Sequence, residues 1–134
     1  MSKQITLVGP ADRRPEELLR AAGMHVSPVG EGGLNALVGA AARQPDVLIV
    51  DLRRSAVLPP LVAMLRRQHP NTGVMIIASS LDPMLLVEAM RAGVTEVVAE
   101  PFEQEDLEKA VNRVSAQSSG TELGDVIGFI GAKG

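Results

Sequence analysis

Along this chain, apolar runs of strand length alternate with segments whose apolar residues recur at helical spacing. Ile5–Val8 reads as a first buried strand, closed by Gly9-Pro10. Pro15 suits a first helical turn, and Leu18, Leu19, Ala21 and Ala22 give a short helix its apolar stripe before Gly23. Met24–Val29 is a weaker strand interrupted by Pro28, and Leu34–Arg43 a helix with Leu34, Leu37, Val38 and Ala41 on one face. Val47–Val50 is continuously apolar, as expected of a central parallel strand covered on both sides. A helix over Leu61–Gln68 follows Pro59-Pro60, and Val74–Ala78 is a fourth strand. Asp82-Pro83 opens a helix that Gly93 ends, Val97–Ala99 is a short fifth strand, and Glu103–Ser115 is a last helix. Strands alternating with helices in this way predict an α/β fold, a five-stranded parallel sheet with helices on both faces.

The tail departs from this rhythm. Ala116–Gly124, rich in Ser and Gly, reads as a linker. Val126–Gly134 reads as a strand running into Gly131-Ala-Lys133-Gly134, the start of a phosphate-binding loop. The expected organisation is a domain over 1–115, a linker over 116–124, and over 125–134 the opening of a truncated nucleotide-binding domain. The simpler alternative is a C-terminal strand with a Gly/Lys tail.

Composition narrows the functions open to the chain. Its 134 residues suffice for one core, and 46% are apolar. There is no Cys, so disulfides, thiol catalysis and thiolate metal sites are excluded. Phe102 and Phe129 are the only aromatic residues, and the formal charge is −3, which gives no basis for nucleic-acid binding. No signal peptide and no stretch of transmembrane length is visible, so a cytoplasmic protein without membrane insertion is expected. His25 and His69 lack partners at metal-binding spacing, and no nucleophile–base pair can be assembled, so the chain is not expected to be an enzyme. Gly30-x-Gly-Gly33 is read as a turn before a helix.

In parallel sheets functional groups gather at the C-terminal ends of the strands. Those ends are Gly9-Pro10, Gly30, Asp51, Ala78-Ser79 and Glu100-Pro101. The run Pro45-Asp46-Val47-Leu48-Ile49-Val50-Asp51, the helix end Met90-Arg-Ala-Gly93 and Glu100-Pro101-Phe102 together resemble the receiver domain of bacterial two-component response regulators, over residues 3–115. The resemblance implies a CheY-like, flavodoxin-like fold and places Asp51 at the family's phosphoacceptor aspartate. It also implies an acidic pair holding Mg²⁺ at the end of the first strand, where this chain has Gly9 and Pro10. The family's hydroxyl residue falls on Ala78, with Ser79 next, and its phosphoryl-pairing lysine falls on Glu100. Asp12 is the one substitute ligand, read here as a cap for the helix near Pro15. Phosphorylation of Asp51 and a metal site are therefore not expected.

Asp51 is expected to pair with an arginine, the candidates being Arg13, Arg14, Arg53 and Arg54. A sharper reading makes these four an anion-binding edge, since guanidinium groups match carboxylate and phosphate. The degenerate receiver, the linker and the Gly-Ala-Lys-Gly tail together resemble the TadZ/CpaE-type ATPases of tight-adherence (Flp) pilus assembly, in which an atypical receiver precedes a ParA/MinD-like ATPase. That resemblance implies a pseudo-receiver that localises the pilus-secretion machinery, often at a cell pole, and self-associates. ATP and Mg²⁺ would belong to the domain beyond Gly134, and no cofactor to this part. Receivers commonly dimerise through the face corresponding here to 83–92, 96–99 and 103–115. Met84, Leu85, Leu86, Val87, Met90 and Val97 are the interaction residues expected on it, in a homodimer or against pilus-machinery or polar proteins. The alternatives are a phosphorylatable receiver using Asp51 and Asp12, and an anion-sensing domain.

Overall fold

The computed structural model describes residues 3–30, 34, 44–54 and 57–118. Strands β1 (Gln4–Val8), β2 (His25–Val29), β3 (Val47–Asp51), β4 (Gly73–Ala78) and β5 (Glu96–Ala99) form one parallel sheet in the order β2-β1-β3-β4-β5. The helices are α1 (Arg14–Ala21), α2 (Leu61–Gln68), α3 (Pro83–Arg91) and α4 (Gln104–Ser118). The helix expected over 34–43 lies outside the described residues except for Leu34, which is buried.

Period-two alternation along the central strands divides the core. Val47, Ile49, Met75 and Ile77 join Leu19 of α1 and Leu107, Ala110, Val111 and Val114 of α4 on one face. Leu48, Val50, Val74 and Ile76 join Val62 and Leu65 of α2 and Leu85 and Ala89 of α3 on the other. Every residue of β3 and β4 is buried, as strands covered on both faces must be. Pro28 is tolerated because β2 is an edge strand that pairs only with β1. No helix among the described residues is long and apolar enough to cross a membrane.

One boundary differs from the sequence expectation. Helix α4 continues to Ser118, so residues 116–118 are helical where a linker is expected; Ala116 and Gln117 carry no helix-breaking feature. Residues 119–134, including Gly131, Lys133 and Gly134, lie outside the described part. The sheet order brings the ends of β1, β3, β4 and β5 side by side, so residues distant in sequence meet at one edge.

Candidate functional site

Asp51 ends β3 with a side chain that is 0% exposed, beside Arg53, whose side chain is 5% exposed. A bend after the strand turns Arg53 back over the carboxylate it follows by two residues. Its Nε donates to Oδ1 at 3.0 Å and to Oδ2 at 3.2 Å, and its Nη2 donates to Oδ2 at 2.7 Å. The backbone N–H groups of Ala11 and Arg53 donate to the same carboxylate at 2.9 and 3.0 Å. A buried carboxylate is tolerated only when its lone pairs are met in this way.

The guanidinium continues outward. Nη1 donates to Glu100 Oε2 at 3.1 Å, after β5, and Nη2 to Asp12 Oδ1 at 3.1 Å, after β1. One arginine therefore ties together the loops that follow β1, β3 and β5. The Phe102 ring supports it from below, 5.5 Å from the guanidinium carbon. Arg14 lies 5.4 Å from the same ring, and its Nη2 donates to the Phe102 carbonyl at 2.6 Å. The Glu100-Pro101 peptide is cis.

Three carboxylates thus converge on one cation. They hold the Arg53 pKa above its usual value, chiefly through the hydrogen bonds it donates to Asp51, with burial opposing and Glu100 and Asp12 adding. The Asp12 carboxyl is held below its usual range, first by the Arg14 N–H at 3.0 Å, against burial, and then by Arg53. Asp12 therefore accepts from the first residue of α1 but stands one place ahead of the N-cap, Arg13, which carries no side-chain cap, and it also closes the Arg53 cluster. Among the described residues no group of three or more His, Asp or Glu is placed to hold a metal ion.

The remaining predicted residues are placed differently from one another. Gly9, with φ of +59°, and Pro10 border the site without a carboxylate. Ala78 is buried and Ser79 exposed. The four arginines do not form a common anion-binding edge. Arg53 is spent on carboxylates, Arg14 is held by Phe102 and lies 3.6 Å from Glu103, and Arg13 is exposed. Arg54 lies with Gly9, Pro10, Pro28, Val29 and Gly30 around a separate open groove of about 570 Å³. On α3, Met84, Val87 and Met90 are exposed, whereas Leu85 is buried and belongs to the core, and Leu86 and Val97 are half-buried. Leu85 points inward because it and Ala89 are four residues apart on the face that meets the sheet.

Sequence reasoning named Arg53 only as one of four candidates and gave Phe102 no role. The Asp-x-Arg spacing across a bend, with an aromatic residue after Pro101, is the signal that could have selected both.

No family model matches the chain, and no curated protein does. Solved structures do. The chemotaxis response regulator CheY4 of Vibrio cholerae is 25% identical, with a TM-score of 0.68 over 85% of this chain and 99% of that one. The fold is that of a CheY-like receiver domain. A Burkholderia pseudomallei protein described as pilus assembly-related is 27% identical, with a TM-score of 0.61 over 84% of this chain and 89% of that one. NtrX from Brucella abortus is 21% identical with a TM-score of 0.71, and this receiver-like chain spans only 27% of its length. Arg53 lies directly against the carboxylate of the aspartate that the resemblance places at the phosphoacceptor position.

Proposed function

We propose that this chain is a pseudo-receiver, a phosphorylation-independent module that localises and self-associates a pilus-assembly ATPase. The observation that carries the reading is the Asp51–Arg53 pair, a buried carboxylate already holding an internal cation through three hydrogen bonds. A phosphoryl donor would have to displace that guanidinium. It would then face Asp12 and Glu100, where repulsion between unit charges about 4 Å apart is roughly 4 kcal/mol in a partly screened protein edge. Gly9 and Pro10 offer no carboxylate to hold the Mg²⁺ that would offset it.

With the three edge loops tied to one arginine, the domain holds one arrangement and offers its partners a constant surface. The likeness to a pilus assembly-related protein supports a setting in pilus assembly; a cytoplasmic role at the secretion machinery or a cell pole is part of the proposal. ATP and Mg²⁺ would be bound by a ParA/MinD-like domain following this one, and this domain would perform no catalysis. The acidic charge and the lack of a membrane-spanning helix among the described residues favour protein partners over nucleic acid or lipid.

The test is incubation of the chain with acetyl phosphate and Mg²⁺, followed by intact-mass measurement. The reading expects no gain of a phosphoryl group. An adduct mapped to Asp51 would replace it with a phosphorylatable receiver.

A further inference from the structure

The neighbouring arginines Arg53 and Arg54 are used in opposite ways. Arg53 is turned inward and answered by Asp51, Asp12 and Glu100. Arg54 is exposed and, among the described residues, makes neither a hydrogen bond nor an ion pair. It lines the open groove of about 570 Å³ together with Gly9, Pro10, Pro28, Val29 and Gly30. Those residues come from the ends of β1 and β2 and the bend after β3. The chain leaves β1 for β2 on one side and for β3 on the other, and ligands of parallel sheets bind at such a switch point.

We infer that this groove binds the C-terminal carboxylate of a partner polypeptide, with the last aliphatic side chains of that partner against Pro10, Pro28 and Val29. A guanidinium fork matches a carboxylate with two parallel hydrogen bonds. One free cation answers one negative charge. Three carboxylates on one guanidinium leave the adjacent Arg53 cluster negative, which disfavours a doubly charged phosphate. The groove lining contains no aromatic ring, so it offers a nucleobase nothing to stack on. Two prolines and a valine instead supply a rigid aliphatic wall.

A chain end fits better than a strand laid along the sheet. His25 donates to Lys3 and Val29 accepts from Gly9, so by alternation the backbone groups of Val26 and Pro28 point away from β1. The Val26 carbonyl is already taken by Arg20 Nη2 at 2.9 Å, and Pro28 has no N–H. The outer edge of β2 therefore offers no ladder to an added strand. A chain end also fits better than a free short acid, which an open groove would leave with one face in water. A polypeptide keeps its carboxylate on Arg54 and continues outward with its amides hydrated. The inference goes beyond the proposed function and does not depend on the chemistry of Asp51.

The test is a ¹H–¹⁵N correlation spectrum of the full chain titrated with the peptide acetyl-Ala-Ala-Val-Val as its free acid. Saturable shifts are expected at Gly9, Val29, Gly30 and Arg54. The C-terminal amide of the same peptide should bind about tenfold more weakly, as loss of a charge-assisted hydrogen bond implies. Arg54→Gln should reproduce that loss with the free acid, whereas Arg13→Gln, at an exposed arginine outside the groove, should leave binding unchanged. Gly30→Leu should abolish binding by filling the groove. Arg54 is exposed and a Cβ at Gly30 meets nothing within 4 Å, so both variants should keep the parent's circular dichroism.

Equal binding of acid and amide, or no shift at millimolar peptide, would overturn the site. The same shifts from inorganic phosphate at the same concentration would reveal a general anion contact and overturn the assignment to a carboxylate. Isovalerate binding as tightly as the peptide would overturn the chain end in favour of a free acid.

Discussion

Replacing Arg53 with Ala would remove the cation from a carboxylate that has no exposure of its own. The substitution deletes three hydrogen bonds to Asp51 and the contacts to Glu100 and Asp12. Breaking a buried pair by deleting one partner costs about 3–5 kcal/mol, because the surviving charge is stranded. Asp51 keeps the Ala11 and Arg53 backbone N–H groups, which places the loss near the lower limit, at about 3 kcal/mol. That is a large part of a domain's usual stability of about 5–15 kcal/mol. It corresponds to a fall in Tm on the order of 15 °C, or a urea midpoint lower by roughly 1–3 M. The chain has no Trp or Tyr, so unfolding is best followed by far-UV circular dichroism. Asp51→Asn should cost less, since Arg53 keeps Asp12 and Glu100. Asp51→Asn with Arg53→Met should recover at least about 1 kcal/mol relative to Arg53→Ala, giving a clear coupling energy in the double-mutant cycle. A loss below about 1 kcal/mol for Arg53→Ala is what an exposed ion pair would show, and it would refute the assignment of Arg53 as the internal counter-ion.

The glycines separate two sources of backbone cost. Gly23 and Gly93 both have φ near +88°, but a Cβ at Gly93 would sit 2.7 Å from Arg66 Cγ while one at Gly23 meets nothing within 4 Å. Gly23→Ala should therefore lose about 1–2 kcal/mol from strain alone, and Gly93→Ala measurably more, by the same urea assay. The pH dependence has a fixed sign. Asp12, with a depressed folded pKa, adds stability that is present above the unfolded carboxylate value and lost as pH falls through the folded one, below about pH 4. Its side chain is more than half exposed, so the effect stays below about 1 kcal/mol, and Asp12→Asn should flatten the acid limb by that amount. Arg53, with a raised pKa, contributes stability that is complete below its unfolded value and lost only in strong alkali, so its pair should add no slope between pH 5 and about pH 9.

The sheet was legible because its signals are local. Val47–Val50 and Val74–Ala78 are too apolar for anything but strands covered on both faces, and Gly23 and Gly93 end the helices they were expected to end. Helix α4 overran its expected end at Ser115 because Ala116, Gln117 and Ser118 neither favour a turn nor forbid another helical turn. The site was legible only in outline. That the positions around Asp51 lack the acids and the lysine which the resemblance implies can be read from Gly9, Pro10 and Glu100. Which arginine answers it cannot, because Arg13, Arg14, Arg53 and Arg54 all follow strands that open onto the edge, and only the bend after β3 turns one of them inward. Leu85 was misjudged as an interaction residue because the apolar run from Met84 to Val87 hides the helical phase. Burial then assigns Leu85 to the core and Met84 and Val87 to the surface.

In the proposed reading, Arg53 stands against Asp51 where a phosphoryl group and its metal would otherwise bind. A ¹H–¹⁵N correlation spectrum of the chain, recorded before and after Mg²⁺ with beryllofluoride, tests it most directly, since that reagent mimics an aspartyl phosphate. Unchanged resonances at Asp51, Arg53, Ser79 and Glu100 are expected. Saturable shifts at these residues that spread into α3 would contradict it and restore a phosphorylation switch.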